Sequence, residues 1–157
     1  MIAEKYAQEV QAILDKYPPD QRRSAVMPLL YLAQRDKMYV SREDMAEIGE
    51  IIGLSATEVA SIVGFYSLYY DEPGGKYRIQ VCNDLPCALR GAKEIAEHLK
   101  SSLGVGFGET TEDGRYTLKE GECMGACGDA PMCLHNNHTM HTHLTPEKVD
   151  ALLDELK

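Results

Sequence analysis

A chain of 157 residues can hold one domain of average size, or a small domain beside a helical module. A hydrophobic content of 44% supports a buried core in both halves. The net charge of −9, with no Lys/Arg run, excludes nucleic acid and anionic membrane surfaces as expected partners. No apolar stretch approaches the roughly 18–20 residues of a membrane span, so direct membrane insertion is not expected. The opening Met1-Ile2-Ala3-Glu4-Lys5 lacks the charged-then-apolar layout of a signal peptide. The expected location is therefore the cytoplasm, where thiols stay reduced.

From Ile2 to Tyr17 the apolar positions Ile2, Tyr6, Val10, Ile13, Leu14 and Tyr17 recur at helical spacing. Pro18-Pro19 ends that helix. A second helix is predicted from about Asp20 or Arg22 to Asp36, with Val26, Leu29, Leu30 and Ala33 on one stripe and a kink at Pro28. Ser41-Arg42-Glu43-Asp44 and Ser55-Ala56-Thr57-Glu58 each place a serine three residues before a carboxylate, the reciprocal capping arrangement. The first opens a helix that stops at Gly53; the second runs on towards Phe65 and Tyr66. Residues 1–73 thus read as a small helical bundle, without cysteine, histidine or a convergent carboxylate set: a structural or docking module. Its last stretch, Gly64-Phe65-Tyr66-Ser67-Leu68-Tyr69-Tyr70, is an aromatic cluster that either closes the bundle core or forms an interface. Asp71-Glu72-Pro73-Gly74-Gly75 reads as the linker.

Residues 74–157 read as a second domain in which strand and helix alternate. Lys76–Val81 alternates in strand fashion and delivers Cys82; a turn with Pro86 leads into a helix from about Ala88 to Leu103 that Gly104 ends. After a polar, Gly-rich loop come a strand at Arg115–Glu120, two short strands at Ala130–His135 and Thr139–His143 joined by Asn136-Asn137, and a helix opened by Thr145-Pro146-Glu147. The order β-α-β-β-β-α describes a small α/β sandwich of thioredoxin-like type. With the helical half, the whole chain is of α+β class.

The chemistry lies in a split cysteine framework. Cys82-Asn83-Asp84-Leu85-Pro86-Cys87 and Cys123-Met124-Gly125-Ala126-Cys127 hold four of the five cysteines, with 35 residues between the clips. Two close pairs on loops at one end of a sheet can aim four sulfurs at a common point. An odd cysteine count in a chain this long fits a disulfide scaffold badly. Neither clip is C-x-x-C, which disfavours a dithiol redox site. Gly121, Gly125 and Gly128 let backbone approach an inorganic cluster closely. Spacing and glycine content favour a two-iron cluster, commonly served by looser clips such as C-x4-C. A structural zinc site remains the chemical alternative.

The pattern Val81-Cys82-x4-Cys87 followed by Glu122-Cys123-Met124-Gly125-Ala126-Cys127-Gly128-Asp129-Ala130-Pro131 closely resembles the [2Fe–2S] subunit of NADH:quinone oxidoreductase. This is the 24 kDa subunit of mitochondria and the E-type subunit of bacteria. The resemblance extends through Gly64-Phe65-Tyr66, Asp113-Gly114-Arg115-Tyr116 and Leu144-Thr145-Pro146-Glu147, and so covers nearly the whole chain. It implies a helical bundle followed by a thioredoxin-like [2Fe–2S] ferredoxin domain. It also implies that Cys82 and Cys87 hold one iron while Cys123 and Cys127 hold the other.

By the same resemblance, the chain is a non-catalytic electron-transfer subunit. FMN and NADH lie on a partner flavoprotein of the 51 kDa (F-type) class, and the complex is peripheral to the inner membrane. Related modules serve NAD-linked hydrogenases, electron-bifurcating enzymes and NAD-dependent formate dehydrogenases, and no residue separates these settings. No phosphate-cradling glycine loop is visible here, in keeping with a nucleotide site on the partner. Glu122 and Asp129 are expected to lower the cluster potential, and nearby backbone N–H groups to raise it.

Cys133 falls inside a predicted strand and reads as a small buried hydrophobe. His135, His138, His141 and His143 look like a metal tract. On paired strands, however, His141 and His143 share a face and His138 points to the other, so four ligands are not expected to converge.

Overall fold

The structure, a computed structural model, describes residues 2–157. The chain divides into two compact units, residues 1–73 and 74–157.

The first unit is helical, with α1 (Ile2–Lys5), α2 (Ala7–Leu14), a 3-10 segment (Pro19–Ala25), α3 (Val26–Lys37), α4 (Arg42–Ile52) and α5 (Ala56–Phe65). Both predicted capping boxes form. The Ser41 hydroxyl accepts from Asp44 N and the Asp44 carboxylate accepts from Ser41 N, with the same pairing between Ser55 and Glu58. Gly53, in the left-handed region at φ 76°, ends α4 as expected.

The opening helix is broken rather than continuous, with Tyr6 at φ −126° between α1 and α2. Its first turn is capped from a distance: the Glu47 carboxylate accepts from Ile2 N and Ala3 N, both at 2.9 Å. No kink forms at Pro28. The 3-10 segment gives way to α3 at Val26, which puts Pro28 in the first helical turn, where its missing N–H has no partner to lose. Leu29, Leu30, Val40, Ile48 and Val59 form the fully buried centre.

The aromatic cluster divides in two. Tyr69 and Tyr70 are buried, while Phe65 is 79% exposed and Tyr66 half-exposed. Gln34 fixes the buried part, donating to Leu68 O at 2.9 Å and accepting from Tyr70 N at 2.8 Å. Tyr69 OH reaches Met27 O.

The second unit contains β1 (Tyr77–Cys82), α6 (Leu85–Leu89), α7 (Ala92–Leu103), β2 (Tyr116–Gly121), a 3-10 turn (Cys127–Asp129), β3 (Cys133–His135), β4 (Thr139–His141) and α8 (Pro146–Glu155). The predicted single helix from Ala88 is two helices. Asp84 and Pro86 start the first one early, and Gly91 at φ 93° separates it from the second. The sheet order is β2-β1-β3-β4, with β1 parallel to β2 and the other pairs antiparallel. The parallel pair requires a crossover, which α6 and α7 supply. Asn136 and Asn137 both take positive φ in the tight β3–β4 turn. Ile79, Val81, Leu118, Ile95, Leu99, Val149 and Leu152 pack into one core between sheet and helices.

Among the described residues, no single helix is long and apolar enough to cross a membrane. The pair α4–α5 passes such a test only jointly, with a bend of 116° between its members.

Candidate metal centre

Parallel pairing sets the position of the two cysteine clips. The register of β1 on β2 puts Cys82 opposite Gly121, two residues before Cys123, so both clips leave the same end of the sheet. The last ladder contacts run across this end: Cys82 N donates to Met132 O at 3.2 Å, and Asn83 N donates to Gly121 O at 3.2 Å.

Cys87 is carried by α6. Asp84 caps that helix, accepting from Leu85 N at 2.8 Å, and Pro86 stands in its first turn. Cap plus proline is a helix-start signature that a prediction beginning at Ala88 missed. Cys82 and Cys87 are each only 2% exposed and pack with Ala92, Ala130 and Met132, with Met124 and Ala126 against the same cluster. Met132, itself 1% exposed, is the residue behind the site that the sequence pattern did not single out.

The second clip has the opposite environment. Cys123 and Cys127 are exposed, and their sulfurs lie 3.3 Å apart, far beyond a disulfide bond. All five cysteines are free thiols. Gly125 turns this loop at φ 81°, a conformation that disfavours any side chain. A Cβ on Gly121 would strike the Gln80 and Met124 side chains, so its bareness permits close packing next to the clip. Gly128 has neither constraint.

Two of the four thiols, one in each pair, are held above their ordinary range. Burial pushes the Cys87 thiol up to about 11, reinforced by its hydrogen bond with the Cys82 thiol, while the Met132 backbone N–H pulls the other way. Cys127 is raised chiefly by its hydrogen bond with Cys123, then by burial and by the charges of Cys123, Cys82 and Asp84. A cation that takes these sulfurs as thiolates opposes the upward shift at Cys87 and Cys127.

Two thiolates on one tetrahedral ion at roughly 2.3 Å lie about 3.7 Å apart, close to the outer pair's spacing. Among the described residues, however, no group of three or more His, Cys, Asp or Glu side chains could hold one metal ion. The outer pair is spaced much as two ligands of one tetrahedral ion are, whether that ion is zinc or one iron of a cluster.

Acidic groups surround the outer clip. Glu122 is exposed beside it, and Asp129 lies 3.3 Å from His143 Nε2. Asn83 donates its side-chain amide to Glu120.

Cys133 is fully buried elsewhere, in the core with Leu144, Val149 and Leu152, where burial pushes its thiol up to about 12. The histidine expectation needs correction. His143 takes φ 48° and leaves the strand, so the companion of His141 is His135 of the neighbouring strand, ring centres 6.0 Å apart.

The profile of the thioredoxin-like [2Fe-2S] ferredoxin family matches residues 10–157. NADH-quinone oxidoreductase subunit 2 of Thermus thermophilus is 40% identical over 142 residues, covering 90% of this chain and 78% of the relative. The E-type NADH-quinone oxidoreductase subunit of Rickettsia bellii is 41% identical over 149 residues, covering 92% and 87%. In fold the chain is similar to part of an NAD+-reducing [NiFe]-hydrogenase solved in the air-oxidized state. That match has a TM-score of 0.69 at 23% identity and covers 82% of this chain but 22% of that one. The chain belongs to the thioredoxin-like [2Fe-2S] ferredoxin family.

Proposed function

We propose that this chain is an electron-transfer subunit, holding one [2Fe–2S] cluster next to the flavin of an NADH-oxidising complex. The reading is carried by one observation: four free thiols in two pairs, one buried and one exposed, at the same end of the sheet. Cys82 and Cys87 hold the inner iron, and Cys123 and Cys127 the outer one. When bound, the cluster supplies one-electron carriage. The protein's own part is to hold and shield it. Ala92, Met132 and Ala130 keep water from the inner sulfurs, and the loop around Gly125 leaves the outer sulfurs at the surface where a partner can approach. Glu122 and Asp129 disfavour added negative charge there, while the Met132 N–H directed at Cys87 favours it.

The relatives at 40% and 41% identity are named as subunits of NADH-quinone oxidoreductases, which favours the quinone-linked setting over a hydrogenase. The partner is then an FMN- and NADH-binding flavoprotein of the F type. The helical unit of residues 1–73 serves as its docking body, and the assembly is peripheral to the membrane on the cytoplasmic side.

Co-expression with the flavoprotein partner encoded in the same genome tests this reading. A stable complex is expected, in which NADH reduces both FMN and the cluster and gives an EPR signal that is lost in Cys87→Ser. A cluster-loaded chain that neither binds the flavoprotein nor is reduced through it contradicts the proposal.

A further inference from the structure

The edge of the sheet carries a pair of groups that the electron-transfer reading does not use. His135 of β3 and His141 of β4 stand diagonally across an antiparallel ladder in which His135 faces Thr139 and His141 faces Cys133. Diagonal neighbours on one face are within reach of long and aromatic side chains. The two rings lie 6.0 Å apart, tilted by 34°, and the Tyr77 ring of β1 closes over His135 at 5.4 Å. The Nε2 atoms of both rings are buried and have no hydrogen-bond partner. A buried polar atom left so is costly, and here two occur side by side.

We propose that His135 and His141 form a two-imidazole site for a borderline transition cation of the Zn2+ class, with the Glu155 carboxylate of α8 supplying counter-charge. Imidazole nitrogen is the donor that zinc, copper and nickel share. An imidazole bound through Nε2 puts its ring centre roughly 3 Å from the ion, so two rings on one ion lie about 5–6 Å apart. The observed spacing falls at the upper end of that range. Burial lowers both histidine pKa values, which keeps the lone pairs free of protons. Glu155 acts electrostatically on both rings, opposing that shift and favouring positive charge at this point.

His141 and Glu155 also line a 340 Å³ groove, with Met140, Thr142 and Lys148, that gives an ion a way in. Among the described residues no third side chain completes the site, which leaves the remaining positions of a bound ion to water. A cation held here ties the β3–β4 hairpin to the last turn of α8. His138 and His143 are exposed and take no part: His138 Nδ1 lies 3.5 Å from the Thr139 hydroxyl, and His143 is paired with Asp129.

Zinc chloride titrated into the full chain with its cluster in place tests this, followed by calorimetry and by the histidine ring resonances in NMR. One Zn2+ per chain is expected at micromolar zinc, moving the His135 and His141 resonances and leaving the visible spectrum unchanged. Affinity is expected to fall at least about tenfold in His135→Gln and in His141→Gln, and to hold in His138→Gln and His143→Gln. The proposal is overturned if His141→Gln binds as wild type does. It is equally overturned if saturating zinc leaves the two rings of the wild-type protein unmoved, whether or not zinc displaces iron from the cysteines.

Discussion

The two thiol pairs have the same chemistry in opposite surroundings. Cys82 ends a strand and Cys87 sits in a short helix; both are 2% exposed and backed by Met132 and Ala92. Cys123 and Cys127 are exposed on a loop whose path depends on Gly125. The inner pair is fixed by the packing of the second unit and the outer pair mainly by backbone conformation. One side of such a site can be rigid and dry while the other stays open to a partner. Electron transfer by docking needs both.

Replacing an inner ligand is the strongest test of that contrast. Cys87→Ser leaves a hydroxyl in an apolar pocket that cannot relax around a new ligand, so complete loss of the cluster and unfolding of the second unit at lower temperature are expected. Cys123→Ser, with an exposed hydroxyl able to adjust, should retain a weakened cluster with an altered visible spectrum. Equal losses in the two variants, read by iron content and thermal melting, would break the comparison.

Met132→Ala removes the side chain behind the inner pair without touching a ligand. A destabilisation of about 2–5 kcal/mol is expected in chemical denaturation, with cluster loss on storage. Gly125→Ala acts only on the outer loop. It forces a side chain into φ 81° and should cost about 1–2 kcal/mol of loop stability, seen as faster iron release to a chelator.

The remaining thiol sharpens the contrast through pH. Burial holds the Cys133 thiol protonated up to about 12, above its ordinary value of 9.0, so the folded chain binds more protons than the unfolded one in that interval. Its contribution is full below pH 9 and is lost as pH rises towards 12, on the order of 4 kcal/mol. Cys133→Ala should flatten that alkaline loss. Cys133→Ser should leave the cluster spectrum unchanged, since the side chain lies in the sheet core with Leu144 and Val149.

Much of this architecture was legible from local chemistry. The capping boxes at Ser41 and Ser55, the stops at Gly53 and Gly104, and the Asn136-Asn137 turn depend on residues within a few positions of one another, and each formed as expected. Features set by distant partners were not legible. The break at Tyr6 accompanies a cap from Glu47, about 45 residues away. The division of the aromatic cluster follows the hydrogen bonds of Gln34. In the site, the cysteine spacing pointed to a four-thiolate centre. The difference between a buried and an exposed pair arises from packing against Met132 and Ala92, which spacing does not encode. Face alternation along β4 paired His141 with His143, because it took no account of the positive φ that turns His143 out of the strand.

The central claim is that these four thiols hold two irons in one cluster. Iron and acid-labile sulfide should each be counted in the purified full-length protein, with a visible spectrum taken before and after dithionite. About two of each per chain are expected, with colour that bleaches on reduction. Colourless protein carrying one zinc at the cysteines would contradict it.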